Sequence, residues 1–158
     1  MKILIVEDDE NKLAQIKEFI LTLFVNANVI TNGSYQSGLK AIIQGGHDLI
    51  ILDMTMPTFD IGNEEDGGRP QAYAGRDILL QMDRRGIVIP VIVVTQFDKF
   101  GTANEELTLK ELDKLLTIDN PDSYVGAVYY STSTTGWKME LKNILQNIGH
   151  VYDSNINS

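Results

Sequence analysis

Apolar residues along the chain follow two alternating patterns. Five short segments rich in Ile, Val, Leu and Tyr have no helical period, and each predicts a buried strand: residues 2–6, 28–31, 48–52, 88–94 and 126–130. After each strand, apolar residues recur at spacings of three and four, which is typical of amphipathic helices. The five helices are marked in turn by Leu13, Ile16, Ile20, Leu23 and Phe24; Leu39, Ile42 and Ile43; Ile78, Leu79 and Met82; Leu107, Leu112, Leu115 and Leu116; and Leu141, Ile144, Leu145 and Ile148.

This regular alternation predicts an α/β fold, a doubly wound five-stranded parallel sheet with five helices. Parallel neighbours need a crossover connection, and right-handed crossovers place helices on both faces of the sheet. Turn and cap residues between the elements agree with the assignment. Asn32-Gly33 predicts a turn after the second strand, and Thr102 with Glu105 predicts a capping box at the start of the fourth helix.

Two connections are long: one spans about residues 58–74, and the other lies between the fourth and fifth strands. The loop at 58–74 contains the polar, Gly-rich run 64–70, which is unsuited to the interior of a helix or strand. This loop either folds over a site as a lid, docks a partner, or is an insertion without a role. We expect residues 1–150 to form one domain and residues 151–158 to form a frayed tail.

Composition narrows the class of protein. The 158 residues, 43% of them hydrophobic, suit one domain with one core. The absence of cysteine excludes disulfides and thiolate metal sites and favours a reducing, cytoplasmic location. The first apolar run ends after four residues at Glu7, so it predicts a strand and not a signal peptide. A net charge of −9 disfavours nucleic acid and anionic membranes as partners.

Acidic residues follow two of the predicted strands directly. Glu7, Asp8 and Asp9 come after the first strand, and Asp53 comes after the third. In an open parallel sheet, ligands bind beyond the carboxyl ends of the strands, so these carboxylates are expected to converge there. Their mutual repulsion raises at least one pKa unless a cation lies among them. Oxygen ligands with open positions favour Mg²⁺, which usually also binds phosphate.

Thr95 ends the fourth strand, so its hydroxyl is expected at the same edge, where it can donate to a phosphoryl oxygen. Other acidic residues have a plainer explanation. For Asp9 and Asp60, a role as a helix cap or solvated loop residue explains the sequence as well as a role at the site does, and for the acidic residues 64–66 that plainer explanation is favoured.

Three stretches together resemble the receiver family of bacterial response regulators: residues 3–9 (ILIVEDD), 48–57 (DLIILDMTMP) and 89–95 (IPVIVVT). The resemblance implies a flavodoxin-like strand order, 2-1-3-4-5. It also implies that Glu7 and Asp8 are the acidic pair, and that Asp8 and Asp53 bind Mg²⁺ with the main-chain carbonyl of Thr55. By the same resemblance, Asp53 is the phosphoacceptor and Thr95 is the switch hydroxyl.

The resemblance also implies partners. A histidine kinase or phosphotransfer protein would phosphorylate Asp53, and the protein would pass the signal to a downstream protein that the sequence does not identify. No output domain is evident, so we expect a stand-alone receiver. Its chemistry would be at most self-phosphorylation and self-dephosphorylation through an aspartyl phosphate, which is not conventional enzyme activity.

The chain departs from the receiver pattern after the fifth strand. The family normally has a lysine there, whereas this chain has hydroxyl residues at 131–135. Lys138 and Lys99 are the candidates to replace it, and Tyr129 or Tyr130 would be the switch aromatic. The missing lysine leaves a second function open, that of a pseudo-receiver that binds partners without phosphorylation.

Other functional classes are less well supported. A metal-dependent nuclease or phosphatase resembling topoisomerase-primase or haloacid-dehalogenase domains needs a second Asp two residues after Asp53, where this chain has Thr55. His47 and His150 lie in no metal-spaced motif, so we expect surface roles for both. Trp137 is expected to pack in the core, although a partner contact remains the alternative.

Overall fold

The computed structural model describes residues 1–60, 70–101, 104 and 106–148. Strands and helices alternate along these residues, as the apolar pattern predicts. The elements are β1 (Lys2–Val6), α1 (Glu10–Leu23), β2 (Asn28–Asn32), α2 (Tyr35–Gln44), β3 (Leu49–Leu52), β4 (Met56–Pro57), β5 (Pro70–Gln71), α3 (Ala74–Arg84), β6 (Val91–Thr95), β7 (Lys99–Phe100), β8 (Leu107–Thr108), α4 (Leu109–Asp119), β9 (Tyr124–Tyr129) and α5 (Gly136–Asn147).

Five of these strands form one parallel sheet in the order β2-β1-β3-β6-β9. This is the predicted order of the five main strands, and the doubly wound fold is confirmed. Side chains of β1 alternate between the two faces of the sheet. Leu4 and Val6 belong to the core beneath α2, α3 and α4, whereas Ile3 and Ile5 belong to the core beneath α1 and α5.

The start of the fourth helix differs from the prediction. The helix begins at Leu109, and its capping box is formed by Thr108 and Glu111. The Thr108 hydroxyl accepts from the Glu111 amide at 3.2 Å, and the Glu111 carboxylate accepts from the Thr108 amide at 3.3 Å. Both Thr102 and Thr108 are followed three residues later by Glu, but only the second pair directly precedes the buried positions Leu112 and Leu116. Thr102 and Glu105 lie outside the described residues, and Leu107 belongs to β8.

Two short antiparallel ribbons flank the carboxyl end of the sheet. β4 pairs with β5, and β7 pairs with β8. Tyr73 links the two ribbons, since its hydroxyl donates to the main-chain oxygen of Phe100 at 3.1 Å. The β4–β5 pairing closes the long predicted loop at its base. Residues 61–69 of that loop lie outside the described residues, so its role as a lid stays a prediction.

The three positions singled out in the sequence, Trp137, His47 and His150, have different outcomes. Trp137 is in the core, with its ring 5.1 Å from the ring of Tyr130 and 5.6 Å from that of Phe19. The expected surface position of His47 is wrong, because the residue is buried and its Nε2 lies 3.1 Å from the oxygen of Ala41. His150 and the predicted tail at 151–158 lie outside the described residues. Within the described ranges, we find no helix both long and apolar enough to span a bilayer.

Candidate functional site

The carboxyl ends of β1 and β3 lie side by side. Val6 pairs with Leu52, and the amide of Asp53 donates to the Val6 oxygen at 3.0 Å. The residues that follow, Glu7 and Asp53, therefore leave the sheet at adjacent points. One carboxylate oxygen from each of Glu7, Asp8 and Asp53 lies within 4.8 Å of the other two. We call these three residues the carboxylate cluster, and the structure brings them together as the sequence predicts.

The members of the carboxylate cluster differ in their access to solvent. Glu7 and Asp53 are 3% and 4% exposed, whereas Asp8 is exposed. Asp53 Oδ1 accepts from the amide of Met54 at 2.8 Å. Glu7 Oε1 accepts from the amide of Asp9 at 3.0 Å. The cluster therefore has a buried, hydrogen-bonded inner part, Glu7 and Asp53, and one solvent-exposed carboxylate, Asp8.

Asp9 and Asp60 have the plainer roles that were left open for them. Asp9 is the N-cap of α1, and its Oδ1 accepts from the amide of Lys12 at 3.0 Å. Asp60 accepts a hydrogen bond from the hydroxyl of Ser37 at 3.1 Å, near the start of α2. Both carboxylates therefore have hydrogen-bond partners near helix N-termini, where negative charge is favourable.

Lys12 is the residue at this site that the sequence interpretation missed. Its side chain is 1% exposed, and its Nζ lies 2.5 Å from Glu7 Oε2 and 3.3 Å from Asp53 Oδ1. The same ammonium donates to the main-chain oxygen of Val94 at 2.8 Å. Lys12 therefore joins the ends of β1, β3 and β6 to the first turn of α1.

A sequence signal for Lys12 exists, but it is weak. Lys12, Ile16 and Ile20 are spaced by four residues and are the buried residues of α1. The helical period therefore places Lys12 at the end of the buried stripe, at the edge of the sheet where the carboxylates lie. A lysine at such a position is usually solvated, and only the fold shows that its partners are Glu7 and Asp53.

Burial dominates the electrostatics of the cluster. Burial first and the Asp53 carboxylate second raise the pKa of Glu7 to about 8, against the lowering effect of the Lys12 ammonium. Burial also raises the pKa of Asp53, against the lowering effects of Lys12 and of the Met54 amide. Glu7 and Asp53 are therefore difficult to ionise at the same time. An additional positive charge beside them would be favourable, because it would stabilise both carboxylates.

The donor set suits a magnesium ion. The three carboxylates and the Lys12 ammonium carry a formal charge of −2 when all are ionised, which one divalent cation balances. All three side chains of the cluster offer hard oxygen donors, and the exposed Asp8 leaves room for water or phosphate ligands. The predicted main-chain ligand, the Thr55 carbonyl, lies in the loop after β3. Thr55 is held there by its hydroxyl, which donates to the oxygen of Ala72 at 3.1 Å.

Thr95 lies at the same edge of the sheet. It is fully buried at the end of β6, and its Oγ1 accepts from the amide of Phe97 at 3.2 Å. Its neighbour Val94 carries the main-chain oxygen that accepts from Lys12. Thr95 therefore directly follows a residue that is hydrogen-bonded to Lys12, the lysine that pairs with Glu7 and Asp53.

The two candidates to replace the missing lysine have other partners. Lys99 Nζ lies 3.7 Å from Glu106 and is largely exposed. Lys138 Nζ lies 5.7 Å from the ring centroid of Trp137 and 5.9 Å from that of Phe19.

The two predicted switch aromatics differ in their exposure to solvent. Tyr129 is 46% exposed, whereas Tyr130 is buried with its ring 5.9 Å from the Lys12 ammonium.

Known proteins match nearly the whole length of the chain. The chain matches no family model. It is 35% identical over 145 residues to "Uncharacterized protein y4jR" of Sinorhizobium fredii, covering 90% of this chain and 95% of the relative. It is 32% identical over 143 residues to "Detocs response regulatory protein DtcB" of Enterobacter cloacae, covering 89% and 95%. The chain belongs to the response regulator receiver family. This receiver therefore matches nearly the whole length of a named response regulatory protein.

A solved structure agrees on the fold. The receiver superposes on the Thermotoga maritima response regulator TrrA, solved in complex with Mg²⁺-BeF, with a TM-score of 0.56 and 20% identity. The match covers 90% of this chain and 97% of that chain. At this identity the likeness supports the fold alone.

Proposed function

We propose that this receiver accepts a phosphoryl group on Asp53 from a histidine kinase or phosphotransfer protein, and that it passes the signal on by protein–protein contacts as a stand-alone domain of residues 1–150. The observation that carries the proposal is the convergence of Glu7, Asp8 and Asp53 within 4.8 Å at the carboxyl edge of the sheet. Asp8, Asp53 and the Thr55 carbonyl would hold Mg²⁺, with Glu7 as the second member of the acidic pair.

The contacts of Asp53 suit it to act as a nucleophile. Its Oδ1 is bonded by the Met54 amide and the Lys12 ammonium, which orients Oδ2 to attack phosphorus. A bond forms between Oδ2 and phosphorus while the P–N bond of the phosphohistidine breaks. The electron pair of that bond stays on the imidazole nitrogen, which takes a proton from water. Mg²⁺ held by Asp8, Asp53 and the Thr55 carbonyl would supply positive charge at the site, and the rest of catalysis would be positioning.

Thr95 would transmit the change. A phosphoryl group adds nearly two negative charges at the site, and a threonine hydroxyl can donate to its oxygens. The Thr95 hydroxyl oxygen accepts from the Phe97 amide, so its displacement toward a phosphoryl group would alter the loop that carries Phe97. Phe97 is 42% exposed, so a change in its position would alter the surface that a partner protein contacts.

The cellular setting follows from the same chemistry. Histidine kinases deliver phosphoryl groups inside the cell, so we propose a cytoplasmic location, consistent with a chain that has no cysteine. The net charge of −9 argues for protein partners and against nucleic acid or an anionic membrane.

Intact mass spectrometry tests the proposal. We expect the wild type to gain one phosphoryl group after incubation with acetyl phosphate and Mg²⁺, and to gain none when EDTA removes the metal. Asp53→Asn should abolish the gain. Asp122→Asn, which changes an exposed aspartate before β9, is the matched control and should leave it intact. An unchanged wild-type mass would contradict the proposal and favour a pseudo-receiver that works without phosphorylation.

A further inference from the structure

We propose that Lys12, on α1, supplies the positive charge that stabilises the phosphoryl group on Asp53, in place of the lysine that receivers usually carry after the fifth strand. This inference rests on the proposed function and assigns its missing cation. In this chain the stabilising cation would lie on the first helix, whereas in other receivers it follows the last strand of the sheet.

The position of Lys12 Nζ fits the role. An ammonium has three N–H donors, and three acceptors surround it: Glu7 at 2.5 Å, Val94 at 2.8 Å and Asp53 at 3.3 Å. Burying a lysine is costly unless its charge is paired and hydrogen-bonded, and here both conditions are met. The ammonium is therefore held beside the acceptor carboxylate before any phosphoryl group arrives.

The other two lysines considered have different partners. Lys99 is paired with Glu106 at the surface, and Lys138 lies over the rings of Phe19 and Trp137. After β9, the hydroxyls of Ser131 and Ser133 bond to each other at 2.9 Å. Hydroxyls donate hydrogen bonds but carry no charge. Among the described residues, the ion pairs of both Glu7 and Asp53 are with Lys12.

Phosphoryl transfer changes what Lys12 faces. Before transfer, Asp53 Oδ1 shares the negative charge of a carboxylate. Once Oδ2 is bonded to phosphorus, Oδ1 becomes the carbonyl oxygen of an acyl phosphate, and the negative charge lies on the phosphoryl oxygens. The ammonium is then drawn from Oδ1 toward those oxygens. Its hydrogen bond to Val94 is the contact that such a shift would loosen, directly before Thr95.

Three methionine variants test this role by the rate of phosphoryl gain from acetyl phosphate and Mg²⁺. Methionine is unbranched, uncharged and similar in length to lysine. We expect Lys12→Met to slow the gain about a hundredfold, as removing one charge-stabilising group from a site usually does. Lys99→Met and Lys138→Met should stay within about twofold of wild type, since their ammonium groups have other partners.

The outcomes separate the two proposals. A folded Lys12→Met protein that is phosphorylated at the wild-type rate would overturn the role of Lys12 and leave the proposed function standing. A strong slowing in Lys138→Met or Lys99→Met instead would assign the role to that residue and also overturn the inference. A wild type that gains no phosphoryl group would overturn the proposed function, and the inference with it.

A measurement on the wild type covers the case in which Lys12→Met does not fold. In protein labelled with ¹⁵N at the lysine side chains, Lys12 is identified as the slowly exchanging, buried ammonium. We expect its signal to shift when beryllofluoride, a phosphoryl analogue, is added to protein already saturated with Mg²⁺. ¹⁹F signals of the bound analogue establish occupancy. Bound beryllofluoride with an unchanged Lys12 signal would overturn the inference.

Discussion

Gly75 lies against the main chain of Asp53. A Cβ atom at position 75 would come within 2.7 Å of the Asp53 carbonyl oxygen and 3.1 Å of the Met54 Cα. The amide of Gly75 donates to the Met54 oxygen at 3.0 Å. The second residue of α3 thus fixes the loop that follows Asp53, and this close packing leaves no space for a side chain.

The first prediction concerns this contact. Gly75→Ala should lower the free energy of unfolding by about 1–3 kcal/mol, because the added methyl group meets main-chain atoms that have to shift. Urea unfolding measures the change. Gly136→Ala is the matched control, since a Cβ at position 136, the first residue of α5, has no heavy atom within 4 Å. Equal stability of the two variants would show that the loop yields without cost.

The second prediction concerns pH in metal-free protein. Glu7 has a pKa of about 8 in the folded chain and about 4.5 when unfolded, so the folded state binds more protons between these values. Its contribution to stability is fully present below about pH 4.5 and is lost as the pH rises through about 8. Chemical unfolding in EDTA at several pH values measures this loss. Ionised carboxylates are the ones that bind Mg²⁺, so Mg²⁺ affinity should rise over the same interval.

Glu7→Gln is the control for that pH dependence. The substitution keeps the shape of the side chain and removes its titration, so the fall in stability with rising pH should become shallower. The difference between wild type and variant isolates Glu7 from other titrating groups, including Asp53, whose pKa is also raised. Parallel pH profiles for the two proteins would contradict the assignment.

The third prediction concerns the contact between α4 and β9. The Tyr124 hydroxyl donates to Asp113 Oδ1 at 2.5 Å, and burial, with Asp113 as a second cause, raises the pKa of Tyr124. Tyr124→Phe should lower the free energy of unfolding by about 1–2 kcal/mol, the usual range for such a hydrogen bond. Tyr129→Phe, at a residue 46% exposed on the same strand, should change it by less than about 0.5 kcal/mol. A similar loss in both variants would rule out a specific effect of the bond.

The sequence predicts the fold and the carboxylate cluster for the same reason. The apolar period defines each buried strand, and residues directly after parallel strands meet at one edge, so Glu7, Asp8 and Asp53 could be brought together without coordinates. Lys12 could not be placed in this way. Periodicity counts apolar residues, and a charged residue at a buried helical position becomes recognisable only when its partners, on other strands, are known.

The remaining differences between the sequence prediction and the structure arise where the sequence pattern is very short, occurs twice, or is misleading for a single residue. The β4–β5 and β7–β8 ribbons pair two residues from each strand, which is too short for an alternating pattern to be visible. A Thr followed three residues later by Glu occurs at both 102 and 108, and the local pattern does not show which pair caps the helix. His47 is polar by type, yet it is buried near the end of α2, so composition alone places it wrongly.

The β4–β5 ribbon sets Met56 opposite Gln71 and Pro57 opposite Pro70, so the chain leaves and returns at adjacent points. The cost of closing a loop grows only slowly with its length. A change in the length of the connection between positions 60 and 70 is therefore expected to cost the parallel sheet little free energy. This interval is the natural place to graft a reporter peptide or an affinity epitope onto the protein.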